Sequence, residues 1–165
     1  MTTQQNYRRW LESPKVDEAL KEEMKKMSAQ EVDEAFFKNI EFGTAGMRGI
    51  LGPGTNRMNK FTIQKAAVGF ALYLMETYTN ARDLGVVISH YNRHMSREFT
   101  MQIANILSKM GLKSYIFDDL RPTPELSFAV RYIKTCGGIM ITASHNPKEY
   151  NGFKVYDEHG CQLVP

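Results

Sequence analysis

Cysteine, net charge of either sign and long apolar runs are all scarce in this sequence. Its 165 residues include only 2 cysteines, Cys136 and Cys161, and carry a formal net charge of +3. No apolar run approaches the length of a membrane span, and no basic segment followed by an apolar one stands at the amino terminus as in a signal peptide. We therefore expect reduced thiols, no membrane partner and a cytoplasmic location.

The charged residues give little reason to expect nucleic-acid binding. Lys and Arg are interleaved with Asp and Glu in the first 40 residues, so no basic stripe forms there. The sequence is 42% hydrophobic and 24% charged, which is the ordinary balance of a globular domain. We expect no nucleic-acid partner, although a local anion site is compatible with this balance.

The amino-terminal residues show helical patterns and no strand pattern. Val16, Leu20 and Met24 lie on one helical stripe, and the capping-box pattern over residues 28–31 predicts the start of a second helix. We predict a helical extension of two helices over residues 1–39.

Glycine is concentrated between residues 42 and 59, which predicts extended pieces joined by tight turns. Beyond this stretch, helix and strand patterns alternate. Strands are predicted at 86–88, 114–117 and 138–142. Helices are predicted at 62–74, where Thr62 is the expected cap, at 96–110, and from Pro124 onward, where Thr123 is the expected cap. This alternation predicts a three-layer α/β/α domain over residues 40–165, with a mostly parallel mixed sheet.

The most informative segment is Thr-Ala-Ser-His-Asn-Pro at residues 142–147, directly after a predicted buried strand. Ligands of open α/β sheets bind beyond the carboxyl ends of the strands. By itself Ser144 is as well explained as a loop serine that caps a backbone group. It has no Gly-x-Ser-x-Gly frame, and His145 is too close in sequence to be its general base. A serine that carries phosphate fits this segment better than a hydrolase nucleophile.

Together with Asn-Gly-x-Lys at residues 151–154, this segment closely resembles the phosphoserine loop of the α-D-phosphohexomutases, the phosphoglucomutase and phosphomannomutase superfamily. The glycine-rich stretch over residues 42–49 resembles the other first-domain motif of that family. Two motifs in the expected order, roughly a hundred residues apart, are more specific than either one alone. The resemblance covers residues 40–165, which corresponds to the first domain of a four-domain enzyme.

The resemblance implies roles for seven residues. Ser144 would give its phosphoryl group to a sugar phosphate and receive one back, and Lys154 would be the general acid/base. The implied catalytic residues are Ser144, Lys154, His145 and Arg48, and the implied substrate- or phosphate-binding residues are Thr44, Asn146 and Arg93. Two positions before Arg93 the family usually has an aspartate, where this chain has Tyr91. Spacing alone would make Lys154 a solvated strand lysine and the glycine-rich stretch a simple hairpin.

The implied activity is the interconversion of hexose 1-phosphate and hexose 6-phosphate through a phosphoserine and a bisphosphorylated sugar. The implied cofactors are Mg²⁺ and glucose 1,6-bisphosphate, which acts as intermediate and activator. In the family the metal is held by an Asp-x-Asp-x-Asp loop of the second domain, and this sequence has no such loop. Here only Ser144 would serve as a metal ligand, through its phosphate.

The implied partners are a sugar phosphate and the remaining domains of the same enzyme, which we expect beyond Pro165. Glucose is the first choice of sugar, followed by mannose, and a phosphopentomutase of the same superfamily is an alternative. Two further hypotheses are a phosphosugar-binding module without activity and a serine hydrolase. Because most of the family's enzyme lies outside this chain, we expect the chain alone to be inactive.

Overall fold

The computed structural model describes residues 1–44 and 46–164. Ala45 of the glycine-rich motif and Pro165, the last residue of the predicted domain, lie outside the described residues. The helices are α1 (Thr3–Glu12), α2 (Glu18–Lys25), α3 (Ala29–Phe36), α4 (Lys60–Thr77), α5 (Ala81–Leu84), α6 (Ser96–Lys109) and α7 (Thr123–Ile133). The strands are β1 (Phe42–Gly43), β2 (Gly46–Ile50), β3 (Val86–His90), β4 (Ser114–Ile116), β5 (Gly137–Ile141) and β6 (Tyr150–Tyr156).

The strands form one mixed sheet in the order β1-β2-β6-β5-β3-β4. Strand β3 pairs in parallel with β4 and β5, whereas the β1–β2, β2–β6 and β5–β6 pairs are antiparallel. The predicted three-layer α/β/α class with a mixed sheet is confirmed. The antiparallel share is larger than predicted, because the glycine-rich stretch and the residues after the serine loop both supply strands that pair antiparallel.

Helices cover both faces of the sheet. Helices α4 and α6 pack on one face through buried residues that include Ile63, Phe70 and Ile103. Helix α7 packs on the other face, where Leu126 and Val130 meet Val87 and Met140 of the sheet. The apolar stripes read from the sequence are therefore the faces that the helices bury.

The amino-terminal extension contains three helices, so the prediction of two was wrong. The missed helix, α1, begins with a capping box in which Thr2 and Gln5 exchange hydrogen bonds. Only one of its two buried residues, Trp10, is apolar, so the sequence pattern did not reveal this helix. The three helices enclose a hydrophobic cluster of their own, and Trp10 of α1 packs edge-on against Phe61 of α4 at 5.0 Å between ring centroids.

Helix α4 begins at Lys60, two residues before Thr62, the residue predicted to cap it. Asn59 is the N-cap and accepts hydrogen bonds from the N–H groups of Phe61 and Thr62, so the prediction of Thr62 as the cap was wrong. Thr62 is instead the other half of a capping box, since its hydroxyl accepts the Asn59 N–H at 3.0 Å. Across the described ranges, no helix is both long and apolar enough to cross a membrane.

Candidate active site

The serine loop begins where β5 ends and presents its central residues to solvent. Ala143 is fully buried and anchors the loop, whereas Ser144 and His145 are exposed. Ser144 has a left-handed backbone conformation with φ of 55°, and its N–H donates to Thr142 Oγ1 at 3.3 Å. Such a conformation is uncommon for a residue other than glycine and costs on the order of 1–3 kcal/mol, so neighbouring contacts must hold it.

Arg93 supplies much of this support. Its guanidinium donates to three carbonyls of the loop, those of Ser144 at 2.6 Å, Asn146 at 2.7 Å and Pro147 at 2.6 Å. Arg93 lies in the turn that follows β3, next to β5 in the sheet, so two neighbouring strand ends are tied together. The planar fork of an arginine suits several acceptors at once, which a lysine could not match.

Arg48 approaches the same loop from β2. Its Nη1 donates to Asn146 Oδ1 at 3.2 Å, across 98 residues of sequence. Opposite Arg48 in the β2–β6 ladder lies Gly152. A Cβ at Gly152 would lie 2.7 Å from the Thr142 carbonyl oxygen and 2.9 Å from that of Met47, so only glycine lets β6 pass this close to both neighbours.

Lys154 lies on β6 opposite Met140 of β5, on the same face of the sheet as the serine loop's cavity. Strand β6 thus brings this lysine back beside the strand that ends in the serine loop. Burial of the partly exposed ammonium, and secondarily the positive charge of Arg48, lower the pKa of Lys154 below its ordinary value. A larger fraction of this amine is therefore neutral near physiological pH than for a solvated lysine.

A cavity of about 400 Å³ brings several of these groups together. It is lined by Tyr91, Pro122, Thr123, Pro124, Met140, Thr142, Ser144, His145 and Lys154. The Ser144 hydroxyl lies 3.4 Å from His145 Nδ1. The cavity thus joins a hydroxyl, an imidazole and an amine of lowered pKa, which suits transfer of a group to or from an anionic substrate.

The other predicted site residues lie outside this lining. Arg48 and Arg93 contact the serine loop from the side, and Asn146 is a residue of the loop that bonds to both arginines. Thr44 is exposed in the described part of the β1–β2 connection, and its carbonyl accepts from Gln162 Nε2 at 3.2 Å. The roles assigned to these four residues from the sequence stay predictions.

Sequence reasoning missed the contribution of α7 and the position of Tyr91. The prediction of Thr123 as the cap of α7 was wrong, because Pro122 is the N-cap and Thr123 is the first helical residue. Pro122, Thr123 and Pro124 also form one wall of the cavity, which the sequence pattern did not predict. A helix that follows a parallel strand begins at the carboxyl edge of the sheet, and this signal could have identified them. Tyr91, at the position where the resemblance implies an aspartate, is 45% exposed and lines the same cavity.

The cavity at Ser144 is not distinguished by its volume. A larger cavity of about 510 Å³ lies behind it, against the α4 face of the sheet. Met47 and Val155 line that cavity, and they point away from Arg48 and Lys154 because side chains alternate along a strand. None of the predicted catalytic residues, all of which the structure describes, lines it.

The described residues do not form a metal centre by themselves. Within 1–44 and 46–164, no three His, Cys, Asp or Glu side chains are grouped so that they could hold a metal ion. In the described part of the chain, no carboxylate lines the cavity at Ser144, whereas Mg²⁺ prefers carboxylate and phosphate oxygens. The residues present therefore do not fit a complete magnesium site.

Comparison with known protein families gives a match over most of the chain. A family model described as "Phosphoglucomutase/phosphomannomutase, alpha/beta/alpha domain I" matches residues 39–165. This match includes the glycine-rich motif, the serine loop and Lys154.

Individual relatives show the same likeness. A phosphoglucomutase of Staphylococcus epidermidis (strain ATCC 12228) is 49% identical over 150 residues, which cover 90% of this chain and 27% of the relative. A phosphoglucomutase of Staphylococcus aureus (strain USA300) is 48% identical over 155 residues, covering 93% and 27%. The chain thus spans about a quarter of the length of the curated relatives it matches.

A solved structure gives the same result. A protein of Thermus thermophilus, proposed to be a phosphomannomutase, superposes with a TM-score of 0.68 at 36% identity. The superposition covers 76% of this chain and 27% of that one.

Proposed function

The chain belongs to the phosphoglucomutase/phosphomannomutase family as its α/β/α domain I, and on this premise we propose that it is the phosphoserine-bearing domain of a phosphohexomutase. In this proposal residues 40–165 are the catalytic domain and residues 1–39 its helical extension. The observation that carries the proposal is the shared cavity into which Ser144 and Lys154 both open, at the carboxyl edge of β5.

The proposed reaction is two phosphoryl transfers in opposite directions. A hydroxyl of the sugar phosphate attacks the phosphorus on Ser144, the bond from phosphorus to Ser144 Oγ breaks, and a bisphosphorylated sugar forms. Neutral Lys154 takes the hydroxyl proton and passes it to Ser144 Oγ as that oxygen leaves phosphorus. After the sugar turns over, Ser144 Oγ attacks its other phosphoryl group, the Ser144 proton passes to Lys154, and protonated Lys154 gives it to the departing sugar oxygen. A lysine of lowered pKa suits both directions, because each protonation state is accessible.

Positioning and positive charge supply the rest of the proposed catalysis. Phosphoryl transfer depends mainly on alignment and on neutralising the moving charge. Arg48 provides a neighbouring cation, Lys154 provides a second one once it has taken the hydroxyl proton, and His145 provides a hydrogen-bonding group beside Ser144. The guanidinium of Arg93 donates to three loop carbonyls. These contacts support a positioning role more than the phosphate-binding role expected from the sequence.

The proposed substrates are hexose 1-phosphate and hexose 6-phosphate, with glucose first, because the curated relatives are named phosphoglucomutases. The likeness to a proposed phosphomannomutase keeps mannose as the next choice, and a pentose remains the alternative. Glucose 1,6-bisphosphate and Mg²⁺ are the proposed cofactors, with the metal's carboxylates supplied by a later domain of the same cytoplasmic enzyme.

Phosphate mapping tests the proposal. The longer enzyme should take up phosphate from glucose 1,6-bisphosphate on Ser144, and Ser144→Ala should lose both the label and the mutase turnover, since the carrier is gone. Ser108→Ala, at an exposed serine of α6, is the matched control and should keep both. Label on another residue, or wild-type turnover in Ser144→Ala, would contradict the proposal.

Tyr91 favours a second candidate function, that of a phosphosugar-binding module without activity. It stands in the cavity where the family usually has an aspartate. Intact-mass measurement separates the candidates. A mutase gains the mass of one phosphate, a binding module gains none, and a serine hydrolase would react with a serine-directed phosphonate.

A further inference from the structure

A buried asparagine joins β6 to the turn that follows β3. Asn151 is fully buried. Its Nδ2 donates to the His94 carbonyl at 2.8 Å and to Ser96 Oγ at 3.1 Å, and its Oδ1 accepts the Gly152 N–H at 2.8 Å. A carbonyl only accepts, which settles the orientation of the amide. Both side-chain polar atoms of Asn151 are therefore used inside the protein.

The turn that Asn151 contacts needs support from outside itself. Met95, at its centre, has a left-handed backbone conformation with φ of 63°. It is also the N-cap of α6, and its side chain makes no capping hydrogen bond to the described residues of that helix. Strained backbone of this kind persists only where surrounding structure holds it. Asn151 bonds the residues on both sides of Met95.

The same turn begins at Arg93, the arginine whose side chain holds the serine loop. The Ser96 N–H donates to the Arg93 carbonyl at 3.1 Å, so Arg93 begins the turn. At its far end the Arg93 guanidinium holds the carbonyls of Ser144, Asn146 and Pro147. A continuous series of hydrogen-bonded groups thus runs from the strand that carries Lys154 to the loop that carries Ser144.

We propose that Asn151 is a positioning residue for phosphoryl transfer, which acts on Ser144 through the 94–96 turn and Arg93. This inference rests on the proposed function, because the placing of Ser144 matters for rate only if Ser144 reacts. A misplacement of about 1 Å can lower a rate by roughly a hundredfold. Asn151 keeps Ser144, which carries the phosphate, at a fixed position relative to Lys154, which carries the proton.

Asn59 offers a matched control for a purely structural role. It is also a buried asparagine, at 5% exposure. Its Nδ2 donates to the carbonyls of Gly52 and Gly54 at 2.9 Å each, and its Oδ1 caps α4. Among the described residues, no hydrogen bond of Asn59 reaches the serine loop or the turn at Met95. Loss of either amide should lower the melting temperature, but only loss of the Asn151 amide should release the serine loop.

The test is hydrogen exchange of the 142–149 peptide in the 165-residue chain, at a temperature where every variant is folded. Asn151→Ala should speed exchange by about tenfold, which is the loss expected from one or two hydrogen bonds. Asn59→Ala should leave the peptide at the wild-type rate. Unchanged exchange in Asn151→Ala, or an equal increase in Asn59→Ala, would overturn the proposal.

Ser96→Ala guards against a variant that fails to fold. It removes one acceptor of Asn151 and keeps the bond to the His94 carbonyl, so a smaller increase of exchange is expected. If Asn151→Ala does not fold, a wild-type exchange rate in Ser96→Ala overturns the proposal by itself.

Catalysis gives an independent readout in the longer enzyme. Asn151→Ala should lower kcat and leave KM nearly unchanged, because Asn151 is buried and lies outside the lining of the cavity. Loop exchange does not depend on phosphate, and intact mass reports phosphate on Ser144 separately. Failure of the proposed function and failure of the positioning role are therefore distinguishable.

Discussion

Lys154 shows how one residue combines a chemical role with a cost in stability. Its ammonium is partly removed from water and lies near the positive charge of Arg48, so the charged form is disfavoured in the folded state. The same circumstances make the neutral amine available to accept a proton. A solvated lysine at this position would be more stable and less useful as a base.

This conflict predicts that Lys154→Met changes stability and activity in opposite directions. In the 165-residue chain the variant should melt at a higher temperature than the wild type at pH 7, because a partly buried charge near Arg48 is removed. In the longer enzyme kcat should fall by roughly a hundredfold or more, the usual size of a general acid/base effect.

The stability gain should depend on pH with a definite sign. The folded-state pKa of Lys154 is lowered, so the unfolded chain binds more protons in the window between the folded pKa and the ordinary value of 10.5. Wild-type stability relative to Lys154→Met therefore rises with pH through that window. Melting curves of both proteins from pH 7 to 11 check this, and a constant or growing gap would contradict the assigned environment.

At the scale of the elements, glycine has opposite effects on stability in α4 and in β6. Gly69 lies in the middle of the 18-residue α4, where an added Cβ would meet no described atom beyond its own helix within 4 Å. Gly152 lies in β6, where the added Cβ would press on two backbone carbonyls. The first glycine only loosens its helix, whereas the second lets β6 lie close to β2 and the serine loop.

Alanine at these two glycines should therefore shift stability in opposite directions. Gly69→Ala should raise the free energy of unfolding by about 0.5–1 kcal/mol, because alanine favours the helix. Gly152→Ala should lower it by about 1–3 kcal/mol through overpacking. Denaturant titration of both variants measures this, and a neutral Gly152→Ala would mean that β6 can move away from its neighbours.

At the scale of the whole molecule, the core and the proposed chemistry have different requirements. The two hydrophobic clusters on the faces of the sheet are closed by helices that belong to this chain. The site lacks carboxylates for a metal within the described ranges, and the chain covers 27% of its curated relatives. We therefore expect folding to need only this chain and the proposed catalysis to need further groups.

We accordingly predict that the 165-residue chain folds but has no mutase activity. A domain of this size buries enough surface to fold alone, while phosphoryl transfer needs groups that position the substrate and its charge. Circular dichroism should show a cooperative melt, and an assay with glucose 1-phosphate, glucose 1,6-bisphosphate and Mg²⁺ should show no turnover. Turnover by a verified chain would contradict the prediction, as would a spectrum without helix.

The sequence by itself determined the α/β/α class, the buried faces of the helices, the serine loop and the strand that carries Lys154. These features are local, since they depend on periodicity, capping and contiguous motifs. Sequence reasoning failed where the signal was weak, at α1, at the cap of α4 and in the antiparallel share of the sheet.

Only the tertiary structure decided how the site is assembled. Arg93 and Ser144 are 51 residues apart, and Asn151 and His94 are 57 apart, yet both pairs are hydrogen-bonded. No local pattern reports such contacts, because they depend on which strand ends the sheet brings side by side. The same strand order places Tyr91 and the start of α7 in the cavity with Ser144 and leaves Arg48 and Arg93 to contact the loop from its side.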